Sequence, residues 1–340
     1  MLLSQGFVLQ DRYRIEMLLG RGGMGAVYKA IDTRLGHAVA IKQNLFETSD
    51  GTAPISHPTR PDDTEARRTQ FEREARLLAA LKHAGLAKVT DYFFIPGEGQ
   101  YLVMDFIEGQ DFGAVVSQLG ALREEHAAGF IIEIAQVLEY LHGQSPPIIH
   151  RDIKPANIRV TPGGQVFLVD FGVAKVGTGE KTMFGAQAVT PGFSPLEQFG
   201  GDKPTDERAD VYSLAATLYT LTLGKQPPSA IDVLRGRPLF DPNGNTGLRP
   251  ALLDVINKGM ALEPEDRYPN MTAFREALHA VFPDRNQKVQ NRDTVNLVTQ
   301  IYTQPMASPG SEMGVYGPTG QPGTAPSRGT MPPSGAPGTM

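Results

Sequence analysis

A chain of 340 residues, 40% apolar and 20% charged, has room for two domains or one large two-lobed one, which excludes fibrous, collagen-like and wholly disordered classes. Its net charge of −5 comes without any block of Lys and Arg, which argues against nucleic acid as a partner. The lack of cysteine excludes disulfides, thiolate metal sites and a cysteine nucleophile, and fits a reducing cytoplasm.

The start, "MLLSQGFVLQDR", lacks the basic region and apolar core of a signal peptide. The longest weakly polar run, residues 213–223, falls short of the roughly 18 to 20 residues that span a bilayer. The chain therefore reads as soluble, cytoplasmic and without a membrane span. Residues 1–105 read mostly as strands, with "YRIEMLL", "AVYKAID", "HAVAIKQ" and "YLVMDFI" alternating or β-branched between turn residues. Within them "GRGGMGAVYKA" sets Gly20, Gly22 and Gly25 at Gly-x-Gly-x-x-Gly spacing. Dinucleotide-binding folds share that spacing, but they follow it with a helix. Here a period-two strand follows, so the loop reads as a strand-turn-strand flap whose backbone N–H groups can approach phosphate oxygens.

Lys42 closes "VAIK" fifteen residues after Val27. By itself it reads as a strand-end lysine in solvent. A segment rich in Pro, Asp, Thr and Ser over residues 44–64 reads as a loop insertion. In the next helix, "TEARRTQFEREARLLAALKH", Phe71, Leu78 and Leu81 share a face with Glu74. A carboxylate on an apolar face needs a cation, which makes Lys42 and Glu74 candidate partners.

From residue 108 to 282 the pattern turns helical. One helix ends at Gly143, and a second, apolar nearly all round, ends at Gly224 and should run through a core. "HRDIKPAN" at 150–157 is followed 13 residues later by "DFG" at 170–172, across the strand-like "GQVFLVD". Each motif alone has little weight, but both in order after the glycine flap and "VAIK" form a specific combination. From Thr303 onward, 16 of 38 residues are Pro or Gly and only Glu312 and Arg328 are charged, a composition that cannot bury enough apolar area to offset ordering.

On these motifs, from about residue 10 to 282, the chain resembles the eukaryotic-like bacterial Ser/Thr protein kinases. The resemblance implies an α+β, bilobal fold with a β-rich N-lobe carrying one key helix (1–106) and a mainly helical C-lobe (107–282); composition makes the remainder a Pro/Gly-rich disordered tail (283–340). It implies transfer of the ATP γ-phosphate to protein Ser/Thr hydroxyls, with autophosphorylation, in signalling. Gly20, Gly22 and Gly25 would cover the phosphates, with Val27 and Ala40 among the nucleotide-binding residues. Lys42, paired to Glu74, would hold the α and β phosphates. Asp152 would accept the hydroxyl proton and Lys154 steady the γ-phosphate. Asn157 and Asp170 would hold magnesium, with manganese able to replace it. Met104 would be the gatekeeper, also packing in the core; the backbones of Asp105 and Ile107 would bond adenine, and Asp111 sits where a ribose contact is expected.

The resemblance further places an activation segment over residues 170–197, closed by Glu197 paired to Arg267, and gives Asp210 the task of bracing the catalytic loop. The Glu197–Arg267 pair could equally be a surface salt bridge worth about 0 to 1 kcal/mol. Arg151 would meet a phosphate in that segment; Thr178 and Thr182 are either its acceptors or plain loop threonines. Lys154 with Thr190 marks Ser/Thr specificity by analogy. The sequence departs from the family at Arg159, where an apolar side chain usually floors the adenine, at "PLE" for Ala-Pro-Glu, and at "KHAGL" for the His-Pro-Asn form. A pseudokinase scaffold is the first alternative, but the residues such proteins lose are present. A small-molecule kinase is the second, but the long segment after "DFG" argues against it. The tail, with Thr319, Thr324, Thr330 and Thr339, is either a linker or a docking segment for a phosphothreonine-reading partner. Input to the enzyme would come from partners, from an activating homodimer or from expression level.

Overall fold

The computed structural model describes residues 2–22, 25–44, 61–95, 99–170, 189–200, 205–241, 245–283 and 292–303, without the side chains of 61–68, 70, 74 and 292–296. The N-terminal part is a six-stranded antiparallel sheet of β1 (Val8–Leu9), β2 (Tyr13–Gly22), β3 (Gly25–Asp32), β4 (Ala38–Asn44), β5 (Val89–Ile95) and β6 (Gly99–Asp105). Their order is β1-β2-β3-β4-β6-β5, and α1 (Pro61–Ala80) crosses between β4 and β5. The tight turn from β3 to β4 follows from Asp32, whose Oδ1 accepts the N–H groups of Arg34 and Leu35, and from Gly36 at φ +76°.

Period-two alternation gives this sheet two different faces. Tyr13, Ile15, Tyr28, Ile41, Tyr101 and Val103 build a small core on one side. Ala40, Leu102 and Met104, on the other side of the same strands, join Phe71, Ala75 and Leu78 of α1 in the main core. The expected strands are all present, and α1 buries Phe71 and Leu78 with Leu81 just past its end, as the face predicts. β5 is an addition. Asp91 sits in it beside a register shift, a residue type that strands disfavour, and is held there by the Tyr13 hydroxyl at 2.7 Å and by Arg12 at 3.2 Å. Of the expected loop insertion, residues 45–60 lie outside the described residues, and α1 begins at Pro61, where the missing N–H of proline suits a first turn.

The second part opens with β7 (Gln110–Asp111) and α2 (Phe112–Leu119), then α3 (Glu124–His142), β8 (Ile158–Val160) and β9 (Val166–Leu168). It continues through α4 (Arg208–Leu223), α5 (Ala230–Leu234), α6 (Pro250–Gly259) and α7 (Met271–Val281). α4 is buried on every side over residues 209–222. Its polar residues survive there because Ser213, Thr217, Thr220 and Thr222 each donate a hydroxyl to the carbonyl four residues back, at 2.8 to 3.0 Å. Gly224 ends the helix in the left-handed conformation, φ +67°. The bilobal α+β fold expected from the motifs is thus observed.

The expectation of a disordered tail from residue 283 does not hold throughout. Residues 292–303 form α8 (Arg292–Thr303), and Leu297, Val298 and Ile301 are buried. Helical spacing of these side chains supplies the apolar face that the Pro/Gly-rich stretch beyond them lacks. Among the described residues, no helix is long and apolar enough to cross a membrane.

Candidate active site

Strand register assembles the first wall of the site. Val27 pairs with Lys42 and Lys42 with Leu102; Gly20 pairs with Val27 on the far side. One row further along, Ala40 pairs with Met104. Residues opposite one another in paired strands, and those two apart, point to the same face. Gly20, Val27, Lys42, Ala40 and Met104 therefore share one side of the sheet, and Met104 also packs in the main core. Gly22 pairs with Gly25 at the tip. Gly25 has φ +150°, and a Cβ there would lie 1.9 Å from the Gln43 carbonyl oxygen, so no other residue fits without moving the strand.

The second wall hangs from the loop between α3 and β8. Its scaffold is Asp210, completely buried in the first turn of α4. Its carboxylate accepts the backbone N–H groups of His150 and Arg151, each at 2.8 Å, and Nε2 of His142 at 2.8 Å. Burial works to raise the Asp210 carboxyl, but the His142 hydrogen bond and charge and the His150 N–H hold it below the ordinary range. Arg151 sits at φ +62° and Asp170 at φ +63°, a region that costs a non-glycine residue strain. Asp210 fixes the first of these by its two backbone bonds.

Four predicted residues close into one hydrogen-bonded group. Lys154 Nζ donates to both Asp152 oxygens at 3.0 and 3.1 Å and to Thr190 Oγ1 at 3.2 Å. The Thr190 hydroxyl donates to Asp152 Oδ1 at 3.1 Å. Asn157 Nδ2 donates to the Asp152 carbonyl at 2.7 Å and to Oδ2 at 3.0 Å. Thr190 is itself positioned by its N–H, which bonds Ser194 Oγ at 3.0 Å.

The third wall is Asp170, at the end of β9. Val169 N–H bonds the Asn157 carbonyl at 2.9 Å, and Leu168 N–H bonds the Gly85 carbonyl at 2.9 Å. The departure "KHAGL" thus supplies a real anchor: Gly85 lies so close to Val137 of α3 that a Cβ would approach its methyl to 2.6 Å. Asp170 accepts from Lys42 Nζ directly. Burial would raise its carboxyl, yet the Lys42 ammonium beside it, helped by His150 and Lys154, holds it low.

Other predicted residues fall as follows. The Glu74 side chain, Thr178 and Thr182 lie outside the described residues. Asp105 ends β6 with its N–H on the Lys88 carbonyl at 3.0 Å, and Ile107 packs half-buried against the main core. Asp111 caps α2, Oδ1 accepting the Ala114 N–H at 2.9 Å, a structural task the sequence reading did not assign. Arg159 donates to the Gly109 carbonyl. Arg151 Nε is buried with no hydrogen-bond partner among the described residues. Glu197 and Arg267 form a bidentate pair at 2.6 and 3.0 Å, with side chains only 5% and 0% exposed. The surface alternative is thereby overturned. The remaining Arg267 donors bond the carbonyls of Ala261, Leu262 and Arg208, so the buried cation is fully hydrogen-bonded.

The donor set suits a hard divalent cation. Asp170 offers a carboxylate, and because the Asn157 amide nitrogen is committed to Asp152, its oxygen is the atom left to ligate. Oxygen donors with one or two carboxylates are what magnesium takes at phosphate-handling sites. Among the described residues no group of three or more His, Asp or Glu is placed to hold a metal.

Comparison with known families matches residues 13–276 to the protein kinase domain. The chain is 33% identical over 343 residues to the serine/threonine-protein kinase PknH of Mycobacterium bovis, covering 95% of this chain and 54% of that protein. It is 33% identical over 290 residues to the serine/threonine-protein kinase PknA of Mycobacterium tuberculosis, covering 81% and 62%. It thus spans little more than half the length of the curated relatives it matches. Among solved structures it is similar to an apo form of PpkA, with TM-score 0.61 and 27% identity over 81% of this chain and 99% of that one. The kinase domain of Mycobacterium tuberculosis PknI gives 0.58 and 25% over 82% and 99%.

Proposed function

Because the chain belongs to the protein kinase domain family, we propose that it is a Ser/Thr protein kinase that moves the γ-phosphate of ATP to protein hydroxyls, its own included. The observation that carries this reading is the group in which Lys154, Thr190 and Asn157 all bond Asp152. Phosphoryl transfer needs position and positive charge more than covalent help from the protein. Asp152 orients the incoming hydroxyl and takes its proton as the oxygen bonds to the γ-phosphorus and the bond to the ADP oxygen breaks. Lys154, held beside Asp152, is placed to meet the negative charge on the phosphoryl oxygens. Lys42 holds the α and β phosphates from the sheet. Asp170 and Asn157 would hold magnesium, or manganese in its place, and the ion would neutralise phosphate charge.

Arg151, with its buried Nε unpartnered among the described residues, suits a phosphate on Thr178 or Thr182. ATP and protein substrates place the activity in the cytoplasm. An activating homodimer, and a phosphothreonine reader for the threonines beyond residue 303, belong to the same proposal.

Intact mass before and after incubation with Mg-ATP, beside Asp152→Asn, tests the reading. Phosphate-sized additions in the wild type and none in the variant are expected. Equal masses in both, with a generic protein substrate also unmodified, would overturn catalysis.

A further inference from the structure

α8 begins 16 residues beyond the segment matched to the protein kinase domain, yet it packs on α2 and makes polar contacts with the connection that joins the two lobes. Tyr302 presents its hydroxyl to both strands there. It donates to the Val160 carbonyl at 2.6 Å and accepts the Gln110 N–H at 3.2 Å. Gln110 and Val160 are register partners of β7 and β8, so one hydroxyl spans the pair. From the other side, Gln110 Nε2 donates to the Ile301 carbonyl at 3.1 Å. Gly109, one residue earlier, must be glycine for this approach: a Cβ would lie 2.3 Å from the Val160 carbonyl oxygen and 3.2 Å from the Tyr302 hydroxyl.

We propose that Tyr302 is a positioning residue for nucleotide: α8 clamps the Gly109–Gln110–Asp111 stretch through this hydroxyl and so sets the affinity of the site for ATP. The proposal rests on the kinase reading above, since it concerns nucleotide at that site. The physical link is short. Asp111 follows Gln110 directly, caps α2, and pairs with Arg159 across the strands, while Arg159 bonds the Gly109 carbonyl. The whole stretch is therefore fixed by Arg159 on one side and Tyr302 on the other. Without the hydroxyl, the Gln110 N–H and Val160 carbonyl lose a shared partner in a buried setting, and the stretch samples conformations that do not bind. No atom of Tyr302 needs to touch the nucleotide.

The test uses the full chain and two conservative variants, Tyr302→Phe and Gln110→Met, each of which deletes a contact between α8 and the connection while keeping side-chain bulk. Calorimetric titration with Mg-ATP is paired with steady-state kinetics and with hydrogen exchange at the Gln110 amide. Both variants are expected to bind ATP about three- to tenfold more weakly, the usual worth of one hydrogen bond. The loss should appear in KM rather than kcat, with faster exchange at Gln110 and unchanged exchange at the amides of α4. ATP affinity at the wild-type value in both folded variants would overturn the proposal. A kcat loss with KM unchanged would overturn it too. If the wild type itself binds no Mg-ATP, the kinase reading falls, and this one with it.

Discussion

His142 shows how single residues hold the catalytic loop. It ends α3 and donates through Nε2 to the buried Asp210, while Glu207 lies 3.7 Å from Nδ1 and Glu139 adds a further negative charge. Burial alone would lower its pKa; the Asp210 hydrogen bond and these charges outweigh it and raise the imidazole above its ordinary 6.5. A group raised on folding binds protons more tightly in the native state. Its stabilisation is therefore complete below pH 6.5 and is lost as pH rises through the folded value. Comparing wild type with His142→Gln by thermal unfolding should give the largest gap at pH 6 and a smaller one at pH 9. Part of the gap persists, because neutral His142 still donates to Asp210. A gap that widens with pH would contradict the assignment. The sequence made Asp210 legible as a brace through its motif, but not His142, whose partner lies 68 residues away. Lys42 shows the same limit. Its motif named the residue and proposed Glu74, whose side chain lies outside the described residues; the Asp170 contact that the structure adds was not legible, because side-chain partners depend on how the walls close.

Strands and helices divide along a similar line. Alternation in "AVYKAID" and "HAVAIKQ" made β3 and β4 legible, and the two-core sheet follows from that period. α8 was also encoded: Leu297, Val298, Ile301 and Tyr302 fall at helical spacing, but the Pro/Gly-rich stretch beginning at Pro305 coloured the whole C-terminal segment. At the level of elements the glycine flap is not uniform. Gly25 meets the Gln43 backbone at φ +150°, whereas a Cβ on Gly20 meets nothing within 4 Å among the described residues. Gly25→Ala must shift β3 against β4 and should cost about 1 to 3 kcal/mol, with weaker ATP binding. Gly20→Ala should leave the melting temperature within a degree or two, as a substitution into open space within a strand does. Chemical unfolding of both variants decides. Equal stabilities would mean that β3 and β4 yield easily, and that the Gly25 contact carries no constraint.

Over the whole molecule the two cores predict an order of opening. β2 and β3 contribute side chains only to the small core, β4 and β6 contribute to both, and α4 is enclosed within the main one. The main core is continuous from α1 through α8, and the Leu86–Leu168 bridge ties the loop after α1 to β9. Local opening frees only as much buried surface as the opening unit holds, so the β2–β3 hairpin can separate without exposing α4. Native-state hydrogen exchange should therefore find the slowest amides at residues 213–221, exchanging only on global unfolding. Amides of β4 and β6 should come next, and those of β2 and β3 should exchange through a smaller opening with a weaker dependence on denaturant. Amides of β2 as slow as those of α4 would mean that the sheet and the helices open together. That outcome would remove the physical basis for a glycine flap that moves while the Asp152 and Asp210 framework stays fixed. The ordering expected instead would, on the proposed function, let the β2–β3 hairpin move over a nucleotide without disturbing the hydrogen bonds that hold Asp152.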